Sequence, residues 1–139
     1  MIKWKKEDYL ILVSLIILSS QLYIIMIFED FACNTKSNSC KVIQTNIFGA
    51  KNIIDICKYS DLDSIKYEYR LRTRVSHSSH YMLKAVTKHN EHKLITTKRF
   101  YKFQDYSKII NNLNDKIQKQ ENFSYRFWGL SNKYKHFFR

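Results

Sequence analysis

From Tyr9 to Phe28 the chain reads YLILVSLIILSSQLYIIMIF, a run of 20 residues without a charge. As a helix, rising about 1.5 Å per residue, such a run spans about 30 Å, the thickness of a bilayer's hydrocarbon core. A chain of 139 residues has too little else to bury that helix on every side. The run is apolar all round, so its expected surroundings are lipid rather than a soluble core. Trp4 and Tyr9 before the middle of the run, and Phe28 and Phe31 after it, stand where interfacial aromatic belts lie. Glu29 and Asp30 are expected to close it on the far side. A transmembrane helix over about residues 9–28 is therefore expected, within an anchor of residues 1–30.

A secretory signal has a shorter apolar stretch and a pair of small residues at its cleavage site. Here Glu29-Asp30-Phe31-Ala32 follows instead, so the helix is expected to stay attached. Lys3, Lys5 and Lys6 precede the run and only Lys36 and Lys41 follow it closely, a slight bias to a cytoplasmic amino terminus. Cys33 and Cys40 sit just beyond, separated by the polar stretch NTKSNS. A loop that short can close into a disulfide, and such bonds persist in oxidising compartments. Two unrelated free thiols are the alternative. Cys57, inside the apolar run IIDIC, reads as a buried small hydrophobe. The expected address is a single-pass protein of a plasma or inner membrane, with its soluble domain outside the cytoplasm.

Beyond residue 32 hydrophobic periodicity switches to two. Five strands are expected: Lys41 to Phe48, Ile53 to Lys58, Lys66 to Val75, His80 to Lys88, and the short Lys93 to Thr97. Gly49 supplies the reversal between the first two. In the third, Lys66, Glu68, Arg70, Arg72 and Arg74 fall on one face and Tyr67, Tyr69, Leu71, Thr73 and Val75 on the other. In the fourth, Tyr81, Leu83 and Ala85 share a face. Short polar connections make these antiparallel hairpins. Tyr106, Ile109, Ile110, Leu113 and Ile117 then recur at helical spacing, with Asp105 placed to cap the start of a helix near residues 105–120. The fold class is α+β, with residues 31–120 as the domain and 121–139 as a basic, aromatic tail.

The order of these parts resembles bacterial single-pass membrane proteins with a pleckstrin-homology-like soluble domain. Cys33 with Cys40, Gly49, Asp61-Leu62 with Ile65, Tyr81 with Leu83, Leu94 with Thr96, and Ile109 to Ile117 carry the resemblance. It implies a strongly bent antiparallel sheet closed by a carboxy-terminal helix, over roughly residues 30–120. Asn90-Glu91 replaces a hairpin glycine, five strands stand where that fold has seven, and the tail has no counterpart. The resemblance implies a fold and an address, and no activity.

Reactive motifs are scarce. His77-x-x-His80 and His89-x-x-His92 bracket one strand, which at about 3.3 Å per residue holds them roughly 25 Å apart, too far to share a metal. They are expected to be solvated turn histidines. The sequence has no P-loop, dinucleotide fingerprint, nucleophile elbow or H-E-x-x-H motif. A non-enzymatic protein without cofactor or metal is expected. Charge is the feature that remains: 24 Lys plus Arg against 12 Asp plus Glu, with all but three of the basic residues beyond residue 32. Arg70, Arg72, Arg74 and Lys84 form one expected contact surface, and Arg126, Trp128, Lys133 and Lys135 in the tail another. A membrane-protein partner is the first reading of that surface, anionic lipid the second. Nucleic acid is third, because a domain outside the cytoplasm rarely meets it, and an enzyme with an unfamiliar site stands beside it as the remaining alternative. The whole is read as an anchored accessory or assembly module.

Overall fold

The computed structural model describes residues 3–72, 74 and 78–132. It is α+β, with an apolar helix, two antiparallel sheets and a second helix late in the chain. Helix α1 spans Lys6–Ile24, and none of its residues is buried. Its 19 residues make it long and apolar enough to cross a membrane. The Asp8 carboxylate accepts the Lys5 N–H at 2.7 Å, satisfying one donor at the helix start. Inside it, the hydroxyls of Ser14, Ser19 and Ser20 donate to the carbonyls of Leu10, Ile16 and Ile17 at 2.7–3.0 Å. The helix therefore satisfies these hydroxyls itself, without water.

The helix ends four residues earlier than the sequence suggests. At Ile25 the backbone becomes extended (φ −84°, ψ 120°) and continues without a linker as strand β1, Ile25–Asn34. Ile25, Met26 and Ile27 are apolar for the sheet, and Met26 is buried there. Apolar character alone could not separate the two environments. The residues assigned to the far interface move accordingly. Phe31 is in the core, Glu29 is buried, and Asp30 is paired within the sheet.

Strand β2 (Ser39–Asn46), strand β3 (Lys51–Cys57) and strand β7 (Phe123–Asn132) complete a sheet of order β3-β2-β1-β7. Strands β4 (Leu62–Arg70), β5 (His80–Thr87) and β6 (His92–Leu94) form the second sheet, in that order. Seven strands are thus present among the described residues where periodicity suggested five. The missed pair is β1, hidden at the end of the apolar run, and β7, which occupies the expected tail. β1 runs across the division expected at residue 30, and β7 lies beyond the one expected at residue 120. Phe31 from β1 and Phe123 and Phe127 from β7 are buried in the same core cluster.

Helix α2, Phe103–Gln118, covers the second sheet with Tyr106, Leu113 and Ile117. Asp105 lies in its first turn, but no side chain caps the start; Lys102 holds the capping position. Asn114 reaches the exposed edge of β4, accepting the Ile65 N–H at 2.7 Å and donating to the Ile65 carbonyl at 3.1 Å. One side chain so replaces a strand neighbour, which blunts an otherwise open edge. Ala85 of β5, opposite Ile65, and Leu83, opposite Tyr67, are fully buried. Asn90 stands in for the hairpin glycine with φ 63°, a conformation asparagine tolerates.

The two sheets are joined through Glu29. Its buried carboxylate accepts from Gln44 Nε2 at 2.9 Å, Thr96 Oγ1 at 3.0 Å, Thr97 N at 2.9 Å and Thr97 Oγ1 at 2.7 Å. Four donors around one carboxylate offset much of the cost of burying it. Lys93 adds a second link, donating to the Ile56 carbonyl at 2.6 Å.

Candidate functional site

Cys33 and Cys40 face each other across β1 and β2 and are joined by a disulfide, with Cα atoms 4.1 Å apart. Cys57 is a free, half-buried thiol paired in register with Cys40, and burial raises its pKa above the ordinary thiol value. A thiol held protonated in this way is a poor nucleophile.

The expected arginine ladder does not form. β4 ends at Arg70, which pairs with Glu68 at 3.3 Å, so only Arg70 of the three occupies the strand. Arg72 and Arg74 follow it as exposed residues outside the strand, where the Arg72 N–H donates to Ser79 Oγ at 3.0 Å. Lys84 lies in register with Lys66, the like-charged pair of the second sheet. Tyr67 and Tyr69 take the core-facing side of β4 but remain half exposed. They stack with Tyr81, at 5.5 and 4.9 Å between centroids, and Tyr67 also with Tyr106 at 5.2 Å.

Arg126 and Trp128 do come together, on the outer face of the first sheet. Strand pairing sets Arg126 opposite Asp30 and Trp128 opposite Phe28. Arg126 donates to both Asp30 oxygens, at 2.8 and 3.0 Å, and its guanidinium lies 3.9 Å from the Phe28 ring centroid. The Trp128 ring is 5.5 Å from Phe28 and 61% exposed. The Asp30 hydrogen bond is the main cause of a raised Arg126 pKa, so this guanidinium stays charged. Gly129, with φ 142°, follows Trp128 where the pairing with β1 shifts register. The bulge re-aims the strand end, and only glycine adopts that backbone without strain. A partly exposed Trp–Arg–Phe group is the composition that recurs at the centres of protein interfaces.

In the sequence Phe28 closes the apolar run and Asp30 lies just beyond it, so neither signals membership of this group. The signal for β7 was present: Phe123, Tyr125 and Phe127 alternate with Ser124, Arg126 and Trp128, and the first set faces inward. Lys133 and Lys135 lie outside the described residues. The last described residue, Asn132 of β7, lies opposite Ile25, where α1 passes into β1.

His77 also lies outside the described residues. His80 is buried rather than solvated, with Nδ1 3.1 Å from the Ser78 carbonyl. His92 is exposed, its Nε2 3.1 Å from Asn90 Oδ1. Among the described residues no three His, Cys, Asp or Glu side chains gather as a metal site. No family model matches the chain, and no curated protein and no solved structure matches it.

Proposed function

We propose that this is a single-pass membrane-anchored accessory or assembly protein, without catalytic activity, that binds a membrane-protein partner. The observation that carries the reading is the direct passage of α1 into β1, an interior strand of the larger sheet. A domain joined in that way has a fixed height and attitude above a bilayer crossed by α1. The Phe28, Arg126 and Trp128 group, on the outer face of that same sheet, is the surface offered to a neighbour in the membrane. The disulfide supports a domain outside the cytoplasm, where such bonds persist. Among the described residues, seven strands in two antiparallel sheets with α2 against them support the pleckstrin-homology-like reading, with the departure that β7 follows the helix.

The test is a photo-crosslinking amino acid at Trp128 of the full chain in its native membrane, with Lys36 at the other end of the sheet as control. Adducts to a membrane protein are expected from position 128 and not from position 36. Adducts to lipid alone, or to nothing, would remove the partner reading. A second reading, attraction to anionic headgroups, is supported by the place of Asn132. From there, beside the end of α1, the sequence continues through Lys133 and Lys135. Each such charge near the surface contributes about 1 kcal/mol.

A further inference from the structure

We propose that the turn between β2 and β3 is a second membrane contact, seated in the headgroup and acyl boundary beside the last turn of α1. This rests on α1 crossing the bilayer. The turn is Ile47-Phe48-Gly49-Ala50, four residues without a polar side chain. Exposed turns ordinarily favour Gly, Asn, Asp and Ser, whose side chains or backbone freedom serve the reversal. Here Gly49, at φ 79°, provides that freedom, while Ile47 and Phe48 are both 60% exposed. They cover no part of the protein core.

What covers them follows from where they are held. Asn46 donates through Nδ2 to the Tyr23 carbonyl of α1 at 2.8 Å. Its Oδ1 accepts the N–H groups of Phe48 and Ala50 at 3.0 and 2.9 Å. One buried asparagine thus clasps the turn to the end of the helix. The Phe48 ring stacks on Tyr23 at 6.4 Å between centroids and 25° between planes. Tyr23 and Ile24 are themselves about half exposed, so the apolar surface runs unbroken from the helix onto the turn. A medium that surrounds the last turn of α1 must also meet Phe48 and Ile47. Tyrosine at the helix end suits the interface, where an apolar ring body and a polar tip find different surroundings. Exposed Lys51, next after the turn, can extend to the headgroups.

The test uses the full chain in phosphatidylcholine–phosphatidylglycerol vesicles, with Trp4→Phe and Trp128→Phe removing native emission. Phe48→Trp carries the reporter, Ile47→Trp is a second position, and Ile16→Trp within α1 is the control. Lipids brominated either near the headgroup or near the bilayer centre serve as quenchers. The reporter at 48 or 47 should lose at least about half its emission to the shallow bromines, since an interfacial group sits about 5–10 Å deep. The control should respond most to the deep bromines. A quenched control with an unquenched turn would overturn the inference and leave the anchor standing. Blue-shifted turn emission without quenching would mean that protein, a second copy or a partner, covers the turn, which also overturns it. If neither responds, α1 does not lie in lipid, and the anchored reading falls as well.

Discussion

At one end of the four-stranded sheet the turn from β1 to β2 is Thr35-Lys36-Ser37-Asn38; at the other, the turn from β2 to β3 is Ile47-Phe48-Gly49-Ala50. The first is a polar lattice. Asn122 accepts from the Thr35 N–H and hydroxyl at 2.7 and 2.9 Å, and Asn38 exchanges hydrogen bonds with Ser60. Tyr59 donates to the Glu121 carbonyl at 2.7 Å, and the disulfide locks the strands just below. The second end has one polar organiser, Asn46, and turns its apolar side chains outward. The same hairpin architecture is thus finished for water at one end and for an apolar medium at the other. The difference lies in side chains, since both turns reverse antiparallel strands.

The largest effect should come from between the two ends, where Glu29 joins the sheets. Glu29→Ala leaves four donors, on buried Gln44 and Thr96 and on half-buried Thr97, without their acceptor, at about 1 kcal/mol each. A total loss of about 3–5 kcal/mol is expected in thermal or urea unfolding of the detergent-solubilised chain. Glu29→Gln should lose less, because its carbonyl can still accept from the threonines. Equal losses would show that the donors find other partners and that the two ends are coupled by packing alone.

Next comes the covalent clasp of the polar end. Cys33→Ala with Cys40→Ala should remove about 2–3 kcal/mol, the loop-closure value for so short a loop, by the same measurement. Its counterpart at the apolar end is Asn46→Ala, which gives up three hydrogen bonds and should cost about 2 kcal/mol. If Asn46→Ala proves neutral in detergent, the turn is not fastened to α1 as described, and the contrast between the ends loses its second half.

Alkaline pH should act on the polar end and on the helix-covered sheet. Burial raises the phenol pKa values of Tyr59, aided by Glu121, and of Tyr106, aided by Tyr81. A raised folded-state pKa means that the unfolded chain loses its proton first. Stability is therefore complete below the ordinary tyrosine value of about 10 and falls as pH rises through the folded value. Unfolding curves across that range should show the fall. Tyr59→Phe should flatten it while costing about 1 kcal/mol at neutral pH through the lost bond to Glu121. The smallest effect is expected at the apolar turn itself. Phe48→Ser removes no core contact and should stay within about 0.5 kcal/mol in detergent. A large loss there would mean that Phe48 serves folding rather than docking.

The sequence by itself determined the existence of the apolar helix, the α+β class and the positions of β2 to β6 and α2 to within a few residues. Periods of two and 3.6 express local geometry and need no partner to be read. Cys33 and Cys40 were legible for the same reason, since spacing alone lets them meet. Where the helix gives way to β1 was decided only by tertiary structure. Ile24 and Ile25 are both isoleucine, and only pairing with β7 makes the second one part of a strand. β7 needed the same information. Its alternation is visible, but a free edge on β1, 96 residues earlier at the Asp30–Arg126 pair, had to exist before the strand had a place. Glu29 and Asp30 show the cost of that gap most clearly. Beside an apolar run they read as charges at a membrane boundary. In the fold one is a buried acceptor joining two sheets and the other holds Arg126 on an outer face, because burial and pairing depend on which strands close around a residue.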